Sequence, residues 1–96
     1  MRVEYAKRAV SDLHDIAAYY ACSDHPEVGA KIAIRVQDVV ERLANLPESG
    51  RPVRERPGVR VVPLLNYRYA IFYLYQAAGE TVRILHIRHT SRQPWR

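Results

Sequence analysis

One cysteine, Cys22, stands among 96 residues, so an internal disulfide is impossible and a structural zinc site lacks its thiolates. Long apolar runs are missing too, and nothing approaches the ~18 consecutive apolar residues that a membrane span needs. The polar start Met1-Arg2-Val3-Glu4-Tyr5 has no apolar signal core. Glycine-rich phosphate loops, internal repeats and low-complexity segments are absent. No Ser-His-Asp or Cys-His arrangement can be argued. Glu55 and Glu80, the only carboxylate side chains after residue 50, make no convincing acid–base pair. These absences exclude a disulfide-framed secreted scaffold, a phosphate-loop enzyme and a triad hydrolase. A lone thiol suits a reducing compartment, so a cytoplasmic location is expected.

What the chain has is a globular composition, 48% hydrophobic and 26% charged, sufficient for one domain over residues 1–96. Its formal charge of +5 is unevenly placed. Residues 1–50 carry six Lys or Arg against eight Asp or Glu, whereas residues 51–96 carry nine Arg, no Lys and two Glu. Guanidinium forks bind carboxylate and phosphate through paired hydrogen bonds where lysine offers a point charge. The second half is therefore expected to meet an anionic partner, either nucleic acid or an acidic protein.

Residues Arg2 to Tyr5 alternate polar and apolar and predict a short strand. Ala6, Ala9, Val10, Leu13, Ile16, Ala17 and Tyr20 recur at steps of three and four and predict an amphipathic helix without an N-cap. Ser23-Asp24-His25-Pro26 breaks that pattern, and Pro26 suits the first turn of a second helix. This helix carries Val28, Ile32, Val36, Val39, Val40, Leu43 and Leu46 on one face and should stop near Asn45, ahead of Pro47. Residues 47–58 hold three prolines and two glycines and read as a loop. Val59 to Leu65 predicts a strand in which Pro63 marks an edge or a bulge, with Asn66 as the following turn. Tyr67–Tyr75 and Thr81–Arg92 then flank a short turn containing Gly79, the pattern of a β-hairpin. The order β-α-α-β-β-β predicts a two-layer α+β domain, a mostly antiparallel four-stranded sheet packed on a helical hairpin.

On the first hairpin strand, Tyr69, Ile71 and Tyr73 are placed against the helices. Phe72 and Leu74 then form an outward row with Arg68 at its rim. His86 and His89 are three apart on a strand and point to opposite faces, a poor metal site. His89 lies near the strand end with Arg88 and Arg92 beside it and Trp95 beyond, and its imidazole suits acid–base work or a phosphate contact. The residues expected to meet a partner are Arg60, Arg68, Phe72, Arg83, His86, Arg88, His89, Arg92 and Trp95. No cofactor or metal is expected.

Several stretches together resemble the RelE/ParE superfamily of toxins from bacterial toxin–antitoxin systems. They are the Ala9/Leu13/Ile16/Tyr20 helix, the Pro47…Gly50 exit, Gly58-Val59-Arg60, Tyr69-x-Ile71-Phe72-Tyr73, and Ile84-Leu85-His86-Ile87-Arg88-His89-Thr90-Ser91-Arg92. The resemblance covers nearly the whole length and implies the fold just described. Within the superfamily, RelE-like members cleave mRNA on the ribosome, and ParE-like members poison DNA gyrase and serve in plasmid stabilisation. The last strand is similar to the ParE-type ending, with His89 and Arg92 at its His and Arg, though Thr90-Ser91 and Gln93 depart from that pattern. In the register that matches both tyrosines, Ala70 occupies the arginine position of the nuclease-type Tyr-Arg-hydrophobic-hydrophobic-Tyr strand, whereas a two-residue shift would bring Arg68 there and put Ile71 in place of the second tyrosine. Only Arg51, Arg54 and Arg56 stand where nuclease loops carry lysines. The resemblance therefore implies a gyrase inhibitor without catalysis, neutralised by an antitoxin that covers apolar grooves and pairs acids with the arginines. The alternative it leaves is a ribosome-dependent mRNA endoribonuclease using Arg68, His89 and Arg92.

Overall fold

The structure, a computed structural model, describes residues 1–90. Strand β1 (Arg2–Tyr5) leads into helix α1 (Lys7–Ala21) and helix α2 (Glu27–Asn45). Strands β2 (Arg51–Pro52), β3 (Val59–Pro63), β4 (Tyr69–Gln76) and β5 (Thr81–His89) follow. As the periodicity predicts, α2 stops at Asn45, and Ala6 precedes α1 with no side-chain cap. Among the described residues, no helix is long and apolar enough to cross a membrane.

The sheet has five strands in the order β1-β5-β4-β3-β2, one more than the sequence pattern predicts. The extra strand is β2, inside the proline- and glycine-rich loop, where Arg51 pairs with Val61 and Pro52 with Arg60. Two residues, one of them proline, carry no alternation that periodicity can detect. β1 joins the opposite side, parallel to β5, with Val3 beside Val82 and Tyr5 beside Ile84. All other pairings are antiparallel.

Helices cover one face. Ile32, Val36, Val39 and Leu43 of α2 and Ala9 and Ile16 of α1 meet Tyr69, Ile71, Tyr73, Val82, Ile84 and Ile87 in one apolar core. Each fully buried aliphatic side chain there contributes about 2 kcal/mol through surface removed from water. Gly29 lets the helices approach, because a Cβ at that position would lie 3.1 Å from Tyr20 Cβ. Not all of the α1 stripe is covered: Val10 and Ala17 are exposed.

The second face is apolar at its centre as well. Val59, Val61, Ala70 and Phe72 form a smaller cluster, with Val53, Leu74 and Leu85 packed against it. Phe72 and Leu74 do lie on the face away from the helices, but Phe72 is only 4% exposed, so the row is covered by the chain itself rather than open. Val53, from the loop between β2 and β3, packs on this cluster and helps to cover it.

β5 contains a bulge that the sequence does not announce. Phe72 pairs with His86 and Tyr73 with Ile84, so Leu85 is an extra residue with no counterpart on β4. The insertion resets the alternation: Val82 and Ile84 before it, and Ile87 after it, all face the helices. Pro63, the last residue of β3, lies beyond the end of β2 and so at an edge position, one of the two places expected for it.

Candidate functional site

The register sorts the arginines of the second half by face. One cross-strand row on the outer face runs Arg51, Val61, Phe72, His86, and the next places Pro63, Ala70 and Arg88 side by side. Arg83 pairs with Leu74 farther along the same face and lies 3.6 Å from Glu4 on β1, an exposed ion pair of little energetic weight. The loop between β2 and β3 brings Arg56 over this face, where its Nη1 lies 3.2 Å from His86 Nε2.

That contact favours the neutral form of His86. A guanidinium carries donors only, so Nε2 must accept and the ring proton must sit on Nδ1. The imidazole is neutral. Burial holds its pKa below the usual histidine value, and Arg56, Arg88 and Arg8 push it down further against the weaker opposing pull of Asp12. The edge of the Phe72 ring supports it from the sheet, with centroids 5.2 Å apart.

Arg60 has a different employment. It pairs with Tyr73, whose ring lies in the helix-side core, and its Nη1 donates to the carbonyls of Gly50 at 2.8 Å and Glu48 at 3.1 Å. The side chain predicted to meet a partner thus braces the connection leaving α2. Sequence reasoning had no signal for this, because the acceptors are main-chain atoms ten and twelve residues away.

At the other end of the sheet, the Arg68 carbonyl accepts from the Thr90 N–H at 2.8 Å, which sets Arg68 beside the end of β5. His89 pairs with Tyr69, and their rings meet edge to face with centroids 5.1 Å apart. His86 and His89 do lie on opposite faces, as predicted. Arg92 and Trp95 fall outside the described residues.

A residue that the sequence did not single out organises this end. β1 ends at Tyr5 opposite Ile84, so β5 continues with its outer edge uncovered by a strand. Asp12 of α1 takes over: its Oδ2 accepts from the Ile87 N–H at 3.0 Å and its Oδ1 accepts from Arg8 Nε at 3.1 Å. Beside this bridge a cleft of about 310 Å³ opens between α1 and β5, with Tyr19, Tyr69, Arg88 and His89 among its walls. A second cleft, about 300 Å³ and more apolar, lies between the helices over Leu13, Ile16, Ile32 and Val36.

Comparison with known proteins agrees with this architecture. Residues 3–94 match the family described as the ParE toxin of the type II toxin–antitoxin system parDE. A protein of Sinorhizobium fredii (strain NBRC 101917 / NGR234), described as "Putative toxin Y4kP", is 31% identical over 94 residues, which cover 98% of this chain and 92% of that one. Among solved structures, the chromosomal ParDE toxin–antitoxin system of P. aeruginosa superimposes with a TM-score of 0.71 at 29% identity, covering 95% of this chain and 97% of the other. The isolated E. coli RelE toxin gives a TM-score of 0.69 at 12% identity over 96% of this chain and 86% of its own, a likeness of fold alone. The β-α-α-β-β-β-β chain with its bulged last strand belongs to the ParE toxin family of type II toxin–antitoxin systems.

Proposed function

We propose that this ParE-type toxin acts by binding protein, with DNA gyrase as its target and a cognate antitoxin as its neutraliser. The observation that carries the reading is Ala70. It occupies the place of the nuclease-type arginine, is 1% exposed, and sits in an apolar cluster with Val61 and Phe72. At the position where the nuclease pattern has an arginine, the outer face is therefore packed hydrocarbon, and the charge that pattern would aim at a scissile phosphate is missing there. The helix-side cleft supports the antitoxin half of the reading, since an apolar groove of that size accepts the nonpolar side of a partner helix. Arg51, Arg54 and Arg68, all exposed, offer fork donors to acidic residues of the same partner.

A ribosome-dependent mRNA endoribonuclease is the second reading. It draws on the turn that sets Arg68 beside the end of β5, one residue beyond His89. Expression without the antitoxin separates the two. Growth arrest with inhibited gyrase supercoiling and intact mRNA is the expected result. Ordered mRNA cuts with supercoiling unaffected would overturn it in favour of the nuclease, and a lack of any growth arrest would overturn both.

A further inference from the structure

We propose that Arg56, His86 and Arg88 form an oxyanion site on the outer face of the sheet, and that filling it takes up one proton at His86. The proposal does not rest on the gyrase reading, because it concerns small anions and one imidazole.

The geometry supplies three parts. First, His86 Nε2 is an acceptor by necessity, since Arg56 Nη1 at 3.2 Å has nothing but protons to offer. Second, charges reach this neutral ring from every element packed around it. Arg56 comes from the β2–β3 loop, Arg88 from β5 two residues on, and Arg8 and Asp12 from α1. Among the described residues, three cations thus act on the ring against one carboxylate. Third, that carboxylate is already engaged, by Arg8 through one oxygen and by the Ile87 N–H through the other. Cationic charge is left over around a half-buried base. Arg88 lies two residues beyond His86 on the same outer face of β5, in the cross-strand row next to that of His86.

An oxyanion lodged against Arg56 and Arg88 meets two guanidinium forks with oxygens that accept from both. Its negative charge also reverses the field at His86, so the imidazolium becomes the favoured form. Nε2–H then becomes a donor, loses its contact with Arg56 and turns towards the anion. Arg56 is freed at the same moment to give its whole fork to the ligand. Anion and proton therefore bind together, each favouring the other by the same factor. The ligand class is a tetrahedral or carboxylate oxyanion, a phosphate group or an acidic side chain.

The test uses the purified full chain and sulfate, whose charge is constant between about pH 5.5 and 8, so any pH dependence belongs to the protein. The Cε1 protons of the histidines are titrated by NMR in sulfate and in chloride at matched ionic strength. The His86 midpoint is expected to move to higher pH in sulfate. Sulfate should bind roughly threefold or more tightly at pH 6 than at pH 7.5. Acetate in place of sulfate distinguishes the two sources: a shift with sulfate alone assigns the site to phosphate-type anions, and a shift with acetate as well admits acidic side chains.

Coincident His86 curves in sulfate and chloride would overturn the proposal, as would an equal shift of every histidine. Arg56→Gln should abolish the sulfate-dependent shift, and Arg88→Gln serves if that variant does not fold. A shift that survives in the folded variant would also overturn it. His86→Gln keeps a neutral acceptor for Arg56, so it should retain sulfate binding and lose its pH dependence. Sulfate binding that still varied with pH in that variant would sink the proton coupling.

Discussion

The hydroxyl of Tyr73 and the main-chain N–H of Gly50 meet at 2.9 Å, joining the middle of the sheet to the segment that leaves α2. The same hydroxyl donates to the Pro47 carbonyl at 2.7 Å. Both partners are main-chain groups of a turn that makes no regular secondary structure, so the phenol supplies the bonds that a helix or ladder would otherwise provide. Burial raises the Tyr73 pKa, although the Gly50 hydrogen bond pulls the other way. The hydroxyl therefore stays protonated and able to donate at all ordinary pH values.

Removing that oxygen leaves two main-chain groups without their partner. Tyr73→Phe is expected to cost about 1–3 kcal/mol, read as a lower urea midpoint with unchanged slope. Gly50→Ala should cost at least as much for a steric reason, since a Cβ there would lie 2.5 Å from the Tyr73 oxygen. The two losses should not fully add in the double variant, because both act on the one Tyr73–Gly50 contact, although the ring carbons at 2.7 and 3.0 Å keep part of the steric cost.

Asp12 offers a comparison between losing an acceptor and losing a charge. Asp12→Ala strands the Ile87 N–H on the open edge of β5, at a cost of about 1–3 kcal/mol. Asp12→Asn keeps an amide oxygen for that N–H and gives up only the exposed pairing with Arg8, worth about 0.5 kcal/mol. Hydrogen exchange at the Ile87 amide should accelerate strongly in the first variant and slightly in the second. An uncapped strand edge is also a template for another chain, so self-association should rise in Asp12→Ala.

The pH dependence of stability follows from His86. Its pKa is lower in the folded protein than in the unfolded chain, so between the two values the unfolded chain binds more protons. The contribution of the neutral His86 is fully present above the unfolded pKa and is lost as pH falls through the folded one. Urea midpoints of the protein should therefore decline from about pH 7 towards pH 5, and the decline should be shallower in His86→Gln, which cannot titrate.

Arg60 and Arg68 separate bracing from presentation. Arg60→Met removes two donations to main-chain carbonyls and is expected to lower stability by about 1–2 kcal/mol, reducing growth arrest only through protein abundance. Arg68 is exposed, so Arg68→Ala should leave stability within about 0.5 kcal/mol and reduce growth arrest at equal abundance. Quantifying the toxin by immunoblot beside growth curves tells the two effects apart.

Much of the fold was legible because its signals are local. Val28, Ile32, Val36 and Leu43 repeat with the period of a helix, and Pro47 ends it one turn later. Tyr69, Ile71 and Tyr73 alternate with the period of a strand and do face the helices. Asn66 takes a left-handed conformation with φ 73°, as a turn residue should, but in the hairpin turn that role falls to Glu80 at φ 49° rather than to Gly79. The candidate site was less legible. Arg60, Arg68 and Arg83 share a composition argument, yet Arg60 braces main-chain carbonyls, Arg68 is exposed and Arg83 makes a surface ion pair, while Phe72, placed by alternation, is packed in an apolar cluster.

The sequence by itself determined which segments become helix or strand, the side of each that is apolar, and the concentration of arginine in the second half. Those properties depend on residues a few positions apart. Only the tertiary structure decided that Leu85 is an extra residue in β5, that Val53 helps to cover Phe72, that Asp12 caps the strand edge left by β1, and that Arg56 lies against His86. Each of these joins groups 19 to 75 residues apart, or depends on the register between two strands, and no local periodicity encodes such a distance. The cationic half was written in the composition. Which of its arginines are tied to the chain itself was decided by the main-chain carbonyls and the imidazole that folding placed beside them.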